Sequence, residues 1–173
     1  MEIATHPPGA ALDDFLWRIS IAEIDRDGPF SPFPGIDRII VVLEGEGMRM
    51  RGRGLDAKLT TPFVPHAFSG DESIECTLIA GRTRDFNAMF RRGKARGTIA
   101  IVRDAAAEFA PTDFRLAYAA TGNHECILSE GASRMLAPEH SLLIDGGGDG
   151  EASLTIRPLA TGAVALVVSI DCR

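Results

Sequence analysis

Short runs of alternating apolar and polar residues, glycine or proline at most of their boundaries, and almost no helical periodicity predict an all-β chain of antiparallel sheets arranged as a sandwich or barrel. Trp17, Ile19 and Ile21 alternate with Arg18, Ser20 and Ala22, which gives one strand two dissimilar faces. The run Ile39-Ile40-Val41-Val42-Leu43 is continuously apolar and β-branched, as expected of a strand covered on both faces. It ends at Glu44-Gly45-Glu46-Gly47, a turn signal because glycine accepts positive φ. Met48 and Met50, then Leu55, Ala57 and Leu59, form a hairpin pattern around Gly52 and Gly54, with Arg49, Arg51 and Arg53 on its solvated face.

Further strands are expected over Ile74 to Ala80, Thr98 to Val102, Phe114 to Ala119 and His124 to Ser129. Ser141 to Ile144, Ser153 to Arg157 and Ala163 to Ile170 complete the set. Gly146-Gly147-Gly148-Asp149-Gly150 has no Lys or Ser/Thr to make a phosphate loop and is expected to be a hairpin turn. Only Arg84 to Arg92 and Ala105 to Phe109 offer a turn or two of helix, too short to stand alone.

The 173 residues suit one domain or two small lobes, and a chain of this length buries roughly 70% of its unfolded surface without needing a disulfide or metal. A net charge of −6 works against binding nucleic acid phosphates. Cys76, Cys126 and Cys172 are odd in number and widely spaced, so they read as small apolar residues and not as a disulfide framework. With neither a signal-peptide pattern at the start nor a run of about 20 apolar residues, the expectation is a cytoplasmic protein that does not cross a membrane.

Two faint internal echoes suggest a duplicated lobe. Val42 to Gly45 loosely parallels Leu128 to Gly131, and Pro65-His66-Ala67-Phe68 parallels Pro138-Glu139-His140-Ser141. The charged, glycine-containing stretch Arg91 to Gly97 places the boundary between lobes spanning 1–95 and 96–173.

Four segments in order, Trp17-Arg18-Ile19-Ser20-Ile21-Ala22, Asp27 to Arg38 with its Phe30-Ser31-Pro32-Phe33-Pro34-Gly35 core, Phe68-Ser69-Gly70-Asp71, and Gly81 to Gly93 containing Thr83-Arg84-Asp85-Phe86-Asn87, resemble the HutD/Ves family. The resemblance is close in the first half and general in the second. It implies a bicupin, two cupin-like antiparallel barrels of jelly-roll type with very little helix. It also implies an association with bacterial histidine utilisation, in which a regulatory role and a small carboxylate ligand such as formylglutamate have been suggested. Dimerisation through sheet edges is a further expectation from the resemblance.

A metal-dependent cupin uses an H-x-H pair, a glutamate and a later histidine to hold its ion. His6, His66, His124 and His140 show no such spacing, and no histidine stands between Pro34 and Glu44. Neither a metal nor another cofactor is expected. GxSxG, P-loop and GxGxxG sequences are also missing. A small carboxylate instead calls for a guanidinium with nearby hydroxyls, since arginine offers planar, paired donors. Arg18 and Ser20 share a strand face, and Arg38 follows the loop that holds Ser31; these four groups are the candidate anion site. Phe30, Phe33 and Phe68 supply either its apolar wall or plain core packing. His66 is a pocket donor, an acid/base or a hydrogen-bonded loop residue. Asn87 is a candidate ligand contact, although Thr83, Asp85 and Asn87 equally suit capping of a turn and short helix. For the arginines, pairing with Asp37 or Asp71 is the competing reading. The function expected is binding or regulation, and not catalysis; the alternative is a metal-independent isomerase or hydrolase using His66 or Glu44 for proton transfer.

Overall fold

A computed structural model describes residues 1–129, 131–147 and 153–173. The turn expected at Gly146 to Gly150 lies outside them from residue 148 onward, as does Glu130 of the first echo. The described chain is all-β: it contains strands and turns and, among the described residues, no helix. No helix is therefore long and apolar enough to cross a membrane. It divides into two compact units, residues 1–96 with Arg173 and residues 97–172.

The first unit contains β1 (Glu2–His6), β2 (Trp17–Ile24), β3 (Gly28–Pro29), β4 (Ile36–Glu44), β5 (Met48–Arg51), β6 (Asp56–Leu59), β7 (His66–Ser69), β8 (Glu75–Leu78) and β9 (Thr83–Arg91). They form a five-stranded sheet in the order β1-β2-β9-β4-β7 and a four-stranded sheet in the order β3-β8-β5-β6. Ile40 and Val42 of β4 pack on Met48 and Met50 of β5, with Leu59, Ile74 and Cys76 completing this core. Each large apolar side chain buried there contributes roughly 1.5–3 kcal/mol. The arginines of β5 face outward as expected, and Arg49 donates to both oxygens of Asp56 at 2.7 Å.

The second unit contains β10 (Ala95–Arg103), which enters it at Gly97, followed by β11 (Ala107–Phe109), β12 (Phe114–Thr121), β13 (His124–Leu128), β14 (Ser133–Leu136), β15 (Ser141–Asp145), β16 (Leu154–Pro158) and β17 (Val164–Cys172). Its sheets run β10-β17-β12-β15 and β11-β16-β13-β14. These are the strand orders β2-β9-β4-β7 and β3-β8-β5-β6 advanced by eight, so the second unit repeats β2 to β9 strand for strand and has no counterpart of β1. Pro65 and Pro138 both lie in the connections that lead into β7 and β15, but strand pairing aligns Pro65 with Ser141, so this echo is three residues out of register. The echo at Gly45 and Gly131 is out of register as well: the turn equivalent to Glu44–Gly47, between β4 and β5, is the one at Gly122, between β12 and β13.

Two segments differ from expectation. Of Arg84 to Arg92, read as a short helix, all but Arg92 belong to the long strand β9 at the centre of its sheet, and Ala105 to Phe109 holds the edge strand β11. In β9 the polar residues Thr83, Asp85 and Asn87 occupy one face, and Phe86, Ala88 and Phe90 the other. All six are buried. An inward-facing polar row hides the usual polar-out pattern of a strand.

The loop between β3 and β4 is tied down by backbone contacts to Gly70. Phe33 N donates to Gly70 O, and Gly70 N to Ile36 O, both at 2.8 Å. A Cβ at residue 70 would stand 2.6 Å from Phe33 O, so only glycine permits this approach. Asp71 adds a second tie: its carboxylate accepts from Gly35 N at 2.6 Å, Arg92 Nη1 at 2.8 Å and Ser69 Oγ at 3.0 Å. These donors, the backbone N–H first, lower its pKa to about 2.

Candidate functional site: a polar patch inside the first unit

Directly paired residues in a sheet point to the same face, so the register identifies what lines the interior. Arg38 pairs with Met89 of β9 and Phe68 of β7, Ile40 with Asn87 and His66, and Val42 with Asp85. Ser20 of β2 pairs with Asn87, and Arg18 with Met89. Since Ile40 and Val42 are core residues, Arg18, Ser20, Arg38, His66, Phe68, Asp85 and Asn87 all belong to the inward face.

Arg38 is 4% exposed. Its guanidinium carbon lies 5.3 Å from the Phe30 ring centroid, 5.4 Å from Phe33 and 4.9 Å from Phe68. Three aromatic faces stabilise a desolvated cation by cation–π attraction. One hydrogen bond accompanies them, from Nη1 to the Ser31 carbonyl at 3.3 Å, while Nε is buried without a partner in the protein. Burial pulls the guanidinium pKa down to about 10; Asp85 opposes that shift and Arg18 adds to it. Arg38 nonetheless stays charged at neutral pH.

Asp85 is wholly buried, and neither carboxylate oxygen has a hydrogen bond within the protein. Desolvation raises its pKa to about 7, against the attraction of Arg38 and the chain's amino terminus. Asn87 is 4% exposed with Oδ1 unpartnered, and His66 Nε2 is likewise buried and unpartnered. Buried polar atoms are nearly always hydrogen-bonded, so unmet ones sharing one inward face make this the candidate place for water or another polar molecule.

The expected residues sort as follows. Arg38, Phe33, Phe68, His66 and Asn87 come together, and Phe30 joins them. Ser31 is exposed and contributes its carbonyl, not its hydroxyl. Arg18 faces inward but is engaged: its Nε donates to Glu2 at 2.8 Å and its Nη1 to Ser20 Oγ at 3.2 Å. Asp37 and Asp71, the alternative partners for Arg38, are bound by Arg92 at 2.7 and 2.8 Å. Arg38 is thereby left without a carboxylate. Glu44 lies exposed at the end of β4, past a bulge, and has no place in the interior. His124 is wholly buried in β13, where burial lowers its pKa; His140 is exposed.

Asp85 is the residue that sequence reasoning missed as a site group. The signal was there: Thr83, Asp85 and Asn87 at spacing two, in phase against Phe86, Ala88 and Phe90, describe a strand with one polar face and not a helix cap.

The repeat supplies an internal comparison. In the second unit Arg115 occupies a place on β12 like that of Arg38 on β4, paired with Ser169 of β17 and Ile144 of β15, with Phe109 5.4 Å from its guanidinium carbon. There the guanidinium is satisfied: Nη1 donates to Phe109 O at 3.1 Å, Nη2 to Ala110 O, and Nε to Ser169 Oγ at 3.4 Å. Where the first unit has Asn87 and Asp85 opposite Ile40 and Val42, the second has Val167 and Ala165 opposite Ala117 and Ala119, all in its apolar core. Arg115 is structural; Arg38 has donor capacity to spare.

Among the described residues no group of three or more His, Cys, Asp or Glu side chains is placed to hold a metal ion. The donor set itself fits one poorly, because the Arg38 cation shares the interior with Asp85 and His66.

Fold and site together define a two-barrel cupin protein with a polar patch inside one barrel. The chain belongs to the HutD family, whose model matches residues 1–165. It superposes on a conserved protein of unknown function from Pseudomonas aeruginosa PAO1 with a TM-score of 0.89 and 32% identity, covering 99% of this chain and 90% of that one. For HutD from Pseudomonas fluorescens SBW25 the TM-score is 0.82 and the identity 29%, over 99% and 87% of the two chains. A cupin 2 conserved barrel domain protein from Leptotrichia buccalis, 8% identical over 100% of this chain and 88% of its own with a TM-score of 0.58, shares the fold alone. An uncharacterized 21.2 kDa protein in the hutC 3′ region of Pseudomonas putida is 44% identical over 97 residues, which are 55% of this chain and 51% of that protein. The match thus spans about half the length of that curated relative.

Proposed function

We propose that the first unit is a receptor for a small carboxylate, that Arg38 is its anchor, and that the protein serves histidine utilisation by sensing or limiting a pathway intermediate and not by turning it over. The observation that carries the reading is the contrast between the two buried arginines: Arg115 has acceptors for its donors, whereas Arg38 is caged by phenylalanines, lacks a carboxylate partner and keeps a buried, unpartnered Nε. Such a group is preorganised for an incoming anion. The hutC neighbourhood of the Pseudomonas putida relative supports the pathway.

A second reading has one observation in its favour. A carboxyl held near neutrality by burial suits proton transfer, and Asp85 lies on the same inward face of the sheet as His66, where Glu44 does not. This is the metal-independent enzyme.

Calorimetric titration with histidine, urocanate and formylglutamate, run beside NMR of the same mixtures, separates the readings. The receptor gives saturable heat with a carboxylate and unchanged ligand spectra after hours of incubation. Appearance of product signals points to the enzyme, and absence of heat from every compound contradicts the receptor.

A further inference from the structure

We infer that Ser31 to Gly35 form a lid over Arg38, held shut from outside by the carboxylate of Asp71 and the guanidinium of Arg92, and that releasing this latch uncovers the arginine. The inference concerns access to the site proposed above, and it is tested without any ligand.

Arg38 is 4% exposed, and the segment before β4 covers it: Phe30 and Phe33 lie against its guanidinium, and the Ser31 carbonyl accepts from its Nη1. A cleft of about 450 Å³ has Phe30 and Ser31 in its wall, and not Arg38. A solute in that cleft therefore meets the guanidinium only after the cover moves. Phe68, the third ring of the cage, belongs to β7 and is fixed in the sheet, which leaves the segment 31–35 as the part able to move. Ser31, Pro32 and Pro34 are exposed. The two prolines fix φ and carry no N–H, so the segment is stiff within itself and moves as a body. From beneath it is held by one hydrogen bond at 3.3 Å and the contact of Phe33 with the guanidinium.

The far end of the lid is clamped at Gly35. Gly35 N donates to Asp71 Oδ1 at 2.6 Å, and Gly35 O accepts from Arg92 N at 2.9 Å. The Arg92 side chain closes the clamp, donating to Asp71 Oδ2 at 2.8 Å, Asp37 Oδ1 at 2.7 Å and Ser69 Oγ at 3.2 Å. Gly35 has a φ of 74° and open space where a Cβ would stand, so it can swivel once released.

The second unit shows that the fold does not require this latch. Strand pairing aligns Asp71 with Gly147 and Arg92 with Cys172, so neither charged member is repeated. The backbone tie is repeated: Gly146 N donates to Asp113 O at 2.8 Å, as Gly70 N does to Ile36 O. In that unit the buried arginine itself holds the covering loop, through the carbonyls of Phe109 and Ala110. The first unit has exchanged this inside hold for an outside one, which leaves Arg38 Nε unpartnered and hands control of the loop to exposed charges. Exposed ion pairs are screened by salt and open to competing charges, whereas buried ones are far less so. The donors around Asp71 pull its pKa to about 2, so it stays ionised at any physiological pH. The latch thus answers to salt or a competing charge, and not to pH.

The experiment is chemical modification of the full chain with phenylglyoxal, a guanidinium reagent, at about pH 8, with adducts located by peptide mass spectrometry. Arg115, 3% exposed and without a latch, is the reference inside the same molecule. Hydrogen exchange of the β4 amides reports whether the first unit stays folded. Arg38 is expected to react about tenfold faster in Asp71→Ala, which loses a charge-assisted bond to the lid, and faster by a smaller factor in Arg92→Ala. The Arg115 rate and the β4 protection should not change. In wild type, raising salt from about 0.05 M to about 1 M should speed Arg38 relative to Arg115, and Asp71→Ala should lose that dependence. An Arg38 rate unchanged in both variants, or one that rises only together with loss of β4 protection, overturns the lid. A protein that opens in this way yet gives no heat with any carboxylate keeps the lid and loses the receptor reading; binding without latch-dependent exposure does the reverse.

Discussion

Replacing Arg38 with methionine is expected to abolish carboxylate binding while leaving the barrel folded. The guanidinium supplies the fixed positive charge for the incoming anion, in a setting screened from water by Phe30, Phe33 and Phe68. Removing one partner of a buried, hydrogen-bonded charge pair costs roughly 2–5 kcal/mol of binding, a hundredfold loss or more at mid-range. Methionine fills comparable space and its thioether packs well against aromatic rings. Stability should change little, because the free protein satisfies only one Arg38 donor through the Ser31 carbonyl. Arg115→Met is the contrasting substitution. It leaves the carbonyls of Phe109 and Ala110 and the Ser169 hydroxyl without their donor, and is expected to lower stability by roughly 1–3 kcal/mol. A melt and a titration on each variant check the pair: Arg38→Met should lose affinity and keep its midpoint, and Arg115→Met should lose midpoint.

Asp85 is expected to make the free protein less stable as pH rises from about 4 to about 7. Its folded-state pKa, about 7, stands above the ordinary 3.8, so the folded state holds the proton more tightly than the unfolded one. Stability from the protonated carboxyl is complete below the ordinary value, falls through the interval, and is gone above about 7. About three pKa units correspond to roughly 4 kcal/mol, a large share of what holds a domain together. Asp85→Asn is neutral throughout. It should be more stable than wild type at about pH 8 by a few kcal/mol, and the difference should disappear toward about pH 4. The comparison must be a difference between variant and wild type, because His124 pulls the other way: burial lowers its pKa, so its contribution is lost as pH falls below the ordinary histidine value. Denaturant melts of both proteins across the interval measure it.

Much of this architecture is legible in the residues, for identifiable reasons. The run Ile39 to Leu43 and the alternating Met48, Met50 and Trp17, Ile19, Ile21 announce strands because apolar burial at period two has few other solutions. β9 escaped because its inward face is polar, so the segment reads as a capped helix until Thr83, Asp85 and Asn87 are counted at spacing two. β1, β7 and β14 are short and flank loops, and little in their composition separates them from those loops. Arg38 could be singled out because the aromatic loop before it and the serine nearby make an anion site plausible. Its lack of a partner could not, since Arg92 is far from Asp37 and Asp71 in sequence and only the folded loop brings them together. The same holds for the contrast with Arg115, which requires the strand-by-strand repeat to be seen.

A crystal structure of the protein grown with an N-acyl amino acid, in a buffer at about pH 8 free of small carboxylates, is the most direct measurement. The expected density lies inside the first unit, with its carboxylate on the Arg38 guanidinium. Density seated on a bound metal ion in that interior, or found only at sites away from Arg38, would contradict the account.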